Sequence, residues 1–225
     1  MMSHVIQQTL DGSHTIYIPE LDEHYHSTNG AVQEARHIYI SKAYNFSTVQ
    51  NPVVFEVGFG TGLNALLTAM EAERTRRKTL YVAIEKYPVS HDEWSVLNYP
   101  HIIGENSASL YAALHLAEWE REVEVSPYFS LKKIHADIVS FPEMPMTDVI
   151  YFDAFAPNKQ ASMWSAEIFS FLFEHTNFNG VLTTYCAKGD VRRMLQAVGY
   201  AVERTDGPPG KREMLRAGKK IMLNV

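Results

Sequence analysis

The chain has 225 residues, 46% of them hydrophobic and 20% charged, with a net charge of −6. That is enough apolar material for one packed core, and it excludes a disordered chain. No apolar run approaches the roughly 20 residues that span a bilayer, the N-terminus lacks the charged-then-apolar order of a signal peptide, and a lone Cys186 excludes an internal disulfide. A cytoplasmic protein with no membrane contact is the simplest expectation. The charge is uneven. Residues 188–225 carry nine Lys/Arg against four acids, a net +5 that leaves −11 on the rest. A basic end on an acidic body is either a surface for a polyanion or a solvated face of ordinary elements, and charge alone does not choose.

Residues 1–50 form an opening section, an N-terminal extension to the remainder of the chain. Asp11-Gly12 marks a turn, residues 15–18 alternate like a strand, and Ser27-Thr28-Asn29-Gly30 is a second turn before a helix over 31–44. From residue 53 the pattern changes. Val53-Val54-Phe55-Glu56-Val57 suits a buried parallel strand. A glycine-rich turn over 58–62 leads into a helix over 63–74, with Leu63, Leu66, Leu67 and Met70 at helical spacing. Further strands are predicted at 80–84, 131–136, 148–153 and 181–186, with helices at 107–119, 166–175 and 191–198. Alternating strands and helices predict an open parallel sheet covered on both faces. Residues 200–205, 212–216 and 220–223 are β-like with no helix between them, which predicts an antiparallel hairpin at one side. One domain over 1–225 is expected, with a doubly wound core over 51–225.

The turn Glu56-Val57-Gly58-Phe59-Gly60-Thr61-Gly62 separates a strand from a helix. Its glycines permit positive φ and close backbone approach to a ligand. A nicotinamide or flavin site wants Gly-x-Gly-x-x-Gly; counted from Gly58, the third glycine would fall on Leu63. No Gly-Lys-Ser/Thr follows, which excludes a Walker loop. The spacing Gly-x-Gly-x-Gly, with an acid two residues before it, is the pattern of S-adenosylmethionine methyltransferases, whose ligand carries an amino group and a sulfonium instead of a pyrophosphate. Glu85 ends the second strand, where a carboxylate can accept ribose hydroxyls. Asp137 ends the third, placed for the adenine amino group with Ile138 as apolar contact. Three acids at the ends of successive strands are more specific than the glycines alone. The expectation is a Rossmann-like class I α/β fold with a mostly parallel seven-stranded sheet.

The fourth strand runs into Asp153-Ala154-Phe155-Ala156-Pro157-Asn158-Lys159. A strand-end acid followed by an aromatic and a proline is similar to the Asp-Pro-Pro-Tyr loops of amino-group methyltransferases. An alkylammonium has no free lone pair, so a fixed carboxylate that orients the amine and takes its proton suits methyl transfer. Phe155 and Trp164 are candidates to wall the pocket. His24, His26 and His37 lack metal-site spacing, so no metal is expected; they read as polar residues of the opening section near the pocket mouth. Cys186 follows an apolar strand and reads as buried.

Longer strings then stand out. Phe59-Gly60-Thr61-Gly62-Leu63-Asn64, Glu85-Lys86-Tyr87-Pro88, the Asp153–Lys159 string, Met163-Trp164, Gly189-Asp190-Val191-Arg192-Arg193 and Gly210-Lys211-Arg212-Glu213-Met214-Leu215 resemble the methyltransferase domain of the MnmC family. The resemblance reaches back to Asn29-Gly30 and Glu34-Ala35-Arg36. It implies S-adenosylmethionine-dependent methylation of the exocyclic amine of 5-aminomethyl-uridine, often 2-thiolated, at the tRNA wobble position. It implies cofactor contacts at Glu56, Gly58, Gly60, Thr61, Gly62, Asn64, Glu85, Lys86, Asp137 and Ile138. Asp153 becomes the residue nearest the amine. Phe155, Pro157, Lys159, Trp164, Arg192, Arg193, Lys211 and Arg212 become contacts to substrate, with tRNA as partner through its anticodon loop. No second nucleotide fingerprint follows before Val225, so the likeness is to members without the flavin-dependent oxidase domain. Ala154 stands where glycine is expected in many relatives. A small-molecule amine methyltransferase, an aminopropyltransferase of the same fold and a non-catalytic binding module are the competing readings.

Overall fold

The computed structural model describes residues 3–104, 107–140 and 143–220. Strands β1 (Val5–Gln8), β2 (His14–Ile18) and β3 (Glu23–His24) form a small antiparallel sheet. Helix α1 (Ala31–Ala35) runs directly into a π-helical stretch, Arg36–Tyr44. The core is built from β4 (Val53–Val57), α2 (Leu63–Thr75), β5 (Thr79–Glu85), α3 (His91–Trp94), α4 (Tyr99–Ile103), α5 (Ser107–Leu116), β6 (Glu122–Ser126), β7 (Phe129–His135), β8 (Thr147–Phe152), α6 (Ala166–Glu174), β9 (Thr176–Thr184), α7 (Gly189–Ala197), β10 (Ala201–Asp206) and β11 (Glu213–Gly218).

The large sheet runs in the order β10-β11-β9-β8-β4-β5-β7-β6. Its five central strands are parallel, while β6 and the β10–β11 hairpin add antiparallel edges. The predicted parallel sheet and terminal hairpin are therefore present, with eight strands among the described residues instead of seven. The extra strand is β6. Glu122-Val123-Glu124-Val125 alternates, but it is a half-exposed edge whose valines alone pack inward, so it carries a weak hydrophobic signal. The helix expected over 31–44 is helical throughout but leaves α geometry after Ala35. β9 begins five residues before its predicted start, through a register shift near Asn179, which has φ +64°. The β-like segment at 220–223 is not a strand at Lys220, and its other three residues lie outside the described residues.

Central strands are buried on both faces, which explains their continuous apolar runs. On β4, Val54 joins a core with α2, α5 and the π-helical stretch, while Phe55 and Val57 join another with α6 and α7. In register, Val57 lies beside Phe152 of β8 and Ile84 of β5. The carboxyl ends of these strands therefore finish level, and the loops leaving them open on one side of the sheet.

Lys133 of β7 is only 1% exposed. Its ammonium donates to the His115 carbonyl at the end of α5 at 2.7 Å and lies 4.8 Å from the Trp119 ring centre and 5.4 Å from that of Phe59. A helix C-terminus and two aromatic faces offset part of the cost of burying the charge. Burial still lowers its pKa from 10.5 to about 8. The unfolded chain therefore holds this proton more tightly than the folded one, and the cost is full below pH 8 and fades as pH rises toward 10.5. Replacing Lys133 with methionine should raise stability at pH 7 by about 1 kcal/mol. The gain should shrink in denaturant melts repeated between pH 8 and 10.5.

Candidate active site

The loops after β4, β5, β7 and β8 surround one cleft with a cavity of about 330 Å³. The glycine loop forms its floor. Gly58, Gly60 and Gly62 all take positive φ (+91°, +49° and +73°), so side chains there would strain the backbone. A Cβ on Gly60 would lie 3.1 Å from the Tyr25 ring, and one on Gly58 would lie 3.4 Å from the Asp153 carbonyl. The loop is thus closed in from both sides.

Two acids at strand ends face the cleft, held in different ways. Glu85 accepts the Gly60 amide at 3.0 Å on one oxygen and the Tyr87 amide at 2.7 Å on the other. It ties the glycine loop to the end of β5 and leaves Lys86 free for another partner. That partner is Asp137, 2.8 Å from the Lys86 ammonium. Asp137 sits two residues beyond β7, also accepts the Val139 amide at 3.1 Å, and is held below the usual carboxylate range, first by its bond from Lys86. Ile138 lines the cleft beside it.

A second acidic pair lies deeper. Glu56 is 1% exposed and does not line the cavity. The Asn64 amide donates to Glu56 Oε1 at 2.9 Å and to Asp153 Oδ2 at 2.9 Å, joining the two carboxyls. Glu56 Oε2 and Asn64 Oδ1 are buried and lack partners among the described residues. Burial pushes the Glu56 carboxyl well above its ordinary range, and the neighbouring Asp153 charge adds to that. Asp153 lines the cleft, and its other oxygen accepts the Tyr39 hydroxyl at 2.6 Å. Burial raises its proton affinity, while the charge of a protonated His26 and the bonds from Tyr39 and Asn64 pull it down.

Most of the expected cofactor residues meet here: Gly58, Gly60, Thr61, Asn64, Glu85, Lys86, Asp137 and Ile138 line one cavity with Asp153, Phe155 and Lys159. Glu56, Gly62 and Pro157 stand behind that lining. Trp164 corrects the sequence reading. It is buried under the loop, with Nε1 donating to the Phe155 carbonyl at 2.7 Å and its ring against Phe152. It props the Asp153–Phe155 segment and does not wall the cavity. The basic end pairs mostly with its own acids, and among the described residues Lys211 alone of the four expected contacts is tied to another part of the chain. Lys211 pairs with Glu34 at 2.8 Å and lies over the Tyr185 ring, Arg193 pairs with Asp190, Arg204 with Glu213, and Arg216 with Glu203. Three of these acids already count in the net +5; of the outside acids only Glu34 reduces it, while Asp206 is taken by Lys42, so the end stays basic. Arg212 is exposed, and Arg192 is part-buried with an Nε that has no partner among the described residues.

The opening section supplies what motif reading could not place. Ile18, Leu21, Tyr25 and His26 line the cleft, and Tyr39 reaches Asp153 from behind. His26, expected near the mouth, bonds the Thr61 hydroxyl at 2.7 Å, and burial lowers its pKa. Tyr25 meets Phe155 edge-on, with ring centres 5.2 Å apart. No local signal marks these side chains, because they come together only when the small sheet folds over the glycine loop. Among the described residues, no group of three or more His, Cys, Asp or Glu is arranged to hold a metal, and no helix is long and apolar enough to cross a membrane.

The donor set suits S-adenosylmethionine. Its glycine loop brings bare backbone to the cavity, and carboxylates at two strand ends match hydroxyls, an amino group and a cationic ligand. Residues 109–220 match the family described as S-adenosyl-L-methionine-dependent methyltransferase. Fold, site and match together place the chain in that class of methyltransferases, with S-adenosylmethionine as cofactor. Within the class it resembles the tRNA 5-methylaminomethyl-2-thiouridine biosynthesis bifunctional protein MnmC of Burkholderia multivorans, with 29% identity over 89% of this chain and 33% of that protein. The chain therefore spans about a third of the curated relative's length. The structure of MNMC2 from Aquifex aeolicus superposes with a TM-score of 0.82 at 22% identity, covering 98% of this chain and 71% of that one. Spermidine synthase from Thermotoga maritima superposes less closely, with a TM-score of 0.57 at 11% identity over 97% of this chain and 74% of that one, a likeness of fold.

Glu85→Ala removes the acceptor that holds the loop amide of Gly60. S-adenosylmethionine affinity, measured by calorimetry, should fall at least about tenfold, the size expected for lost hydrogen bonds to a charged group. The variant should remain folded.

Proposed function

We propose that this chain transfers a methyl group from S-adenosylmethionine to the exocyclic amine of 5-aminomethyl-uridine or its 2-thio form at the tRNA wobble position. The product is the 5-methylaminomethyl nucleoside. The observation that carries this reading is the Asp153 carboxylate, held by two donors and lining a glycine-loop cleft, in a chain that resembles MnmC across 89% of its length. We take the chain to act as one methyltransferase unit in the cytoplasm, and the anticodon loop to be the part of the tRNA that enters the cleft.

When bound, S-adenosylmethionine supplies an electrophilic methyl on a sulfonium. Glu85 would hold its ribose, Asp137 and Ile138 its adenine, and the 58–62 backbone its chain, with Asn64 and Glu56 supporting the floor. The incoming acceptor is an alkylammonium near neutral pH, with no lone pair to react. Asp153 would receive its N–H groups, orient the nitrogen and take one proton onto a carboxylate oxygen, leaving a neutral amine as nucleophile. A carboxylate raised by burial is a better proton acceptor than a solvated one. Phe155 with Tyr25 would flank the extruded base, and Lys159 would meet polar groups beside it. A wobble base is unpaired in its loop, so extruding it costs less than opening a duplex. Arg192, Arg193 and Arg212 would contact phosphates, with Lys211 acting through its clamp on Glu34.

Incubation with methyl-labelled S-adenosylmethionine and bulk tRNA from cells lacking the modification should place label in a wobble nucleoside. Label in a polyamine fraction, with none in RNA, would overturn the assignment. Asp153→Asn should cut kcat/KM by about 10²- to 10⁴-fold, the range for general base catalysis. Partial recovery at higher pH, where free amine increases, is the signature of a proton-accepting role. Exchanging Arg192 and Arg193 together for glutamate should weaken tRNA binding, read by filter retention at fixed salt, and spare S-adenosylmethionine binding.

A further inference from the structure

The π-helical stretch Arg36–Tyr44 is the least regular buried element among the described residues, and it packs against β8, β9 and α2. Such geometry gives up ordinary α-helical bonding, so it persists where other contacts set the register, frequently beside functional sites. Here the register is set at Tyr39. The residue is 2% exposed, its ring meets Tyr151 with centres 4.9 Å apart, and its hydroxyl reaches Asp153 Oδ1. Its neighbours in the core behave differently: the Tyr44 hydroxyl bonds Thr79, and that of Tyr81 has no partner in normal bonding geometry among the described residues. Tyr39 alone of these three bonds a group that lines the cleft.

We propose that Tyr39 is a positioning residue for methyl transfer: with the Asn64 amide on the other oxygen, its hydroxyl fixes the plane of the Asp153 carboxylate and keeps it an acceptor for the substrate amine. The proposal rests on the reading of Asp153 as the amine-holding group. Each carboxylate oxygen offers about two acceptor positions. Tyr39 and Asn64 take one on each, which leaves one on each for the N–H groups of an incoming amine. The polarity of the Tyr39 bond is fixed as well. Burial and the Asp153 charge raise the phenol's pKa well above its ordinary value, so Tyr39 stays protonated and donates.

Other groups bear on the same carboxylate. His26, in the segment after β3, would favour its ionised form if protonated, while Glu34 of α1 opposes ionisation. Glu34 is itself clamped by Lys211. Glu56 of β4, Tyr81 of β5 and Tyr185 beyond β9 also interact electrostatically with Asp153. None of them takes the place of the Tyr39 donor on Oδ1.

Tyr39→Phe keeps the ring and removes the donor. In the ligand-free protein, the ¹³C resonance of the Asp153 carboxyl, assigned by its absence in Asp153→Asn, should titrate at higher pH, because a carboxylate that loses a donor holds its proton more tightly. The acid limb of kcat/KM should move upward with it. A shift of one unit lowers the rate on that limb about tenfold, while KM for S-adenosylmethionine is unchanged. An unmoved Asp153 titration with a loss equal at every pH would show a structural role and overturn the proposal. If Asp153→Asn retains full activity, the underlying reading falls, whatever the carboxyl titration shows. Should Tyr39→Phe fail to fold, 3-fluorotyrosine at position 39 decides the matter. It is a stronger donor, and the acid limb must then move to lower pH; movement upward or none would overturn the proposal.

Discussion

One side-chain amide joins the halves of the site. Asn64, in the first turn of α2, donates to Glu56 on β4 and to Asp153 beyond β8. Two carboxyls this close and this far from water cannot both ionise cheaply, because each lacks solvent to spread its charge. The shared amide gives each a donor, and the Glu56 side chain, deeper and with an unpartnered oxygen, has its proton affinity pushed well up. Asp153 keeps a second donor in Tyr39 and a face toward the cleft. The bridge ties the start of α2 to the ends of β4 and β8, and with Tyr39 it sets the aim of Asp153.

The opening section depends on the same arrangement. Its small sheet lies against the loop that the bridge holds in place: Tyr25 sits on Gly60, and His26 bonds Thr61. From the far side, the π-helical stretch brings Tyr39 up to Asp153, and Lys211 secures α1 through Glu34. Residues 1–50 are therefore part of the site's wall. The price of that closure is a set of buried polar groups, and most of them are satisfied by partners far away in sequence, as buried groups must be.

This separation explains what could be read from the sequence. That the glycine loop and the strand-end acids would meet in one cleft was legible, because the loop is sterically demanding and parallel strands end level. Gly58, Gly60 and Gly62 take positive φ values that favour glycine, and Glu85 and Asp137 fall where parallel strands end. The parallel order was legible in the alternation of apolar strands with helices, and the terminal hairpin in successive β-like segments without a helix between them. The rest was not, because nothing local encodes it. Tyr39 and Asp153 are 114 positions apart, and their contact depends on a helix that leaves α geometry. Trp164 carried an aromatic pocket signal yet serves as a buried prop, since chemistry alone does not reveal which way an indole faces. Within the basic end, the sequence could not show that Lys211 is drawn inward by Glu34, 177 positions away.

Three acids of the site show how one fold assigns different proton affinities to the same functional group. Asp137 faces a lysine and is held low. Glu56 has one amide and deep burial, and its charge is disfavoured. Asp153 lies between these extremes: buried enough to be raised, bonded enough to stay oriented, and open to the cleft. A residue that must accept a proton from an amine and release it again needs that intermediate position, because a carboxyl held too low is a poor base and one held too high arrives already protonated. Of these three acids, Asp153 alone is both raised by burial and open to the cleft, which supports the role proposed for it.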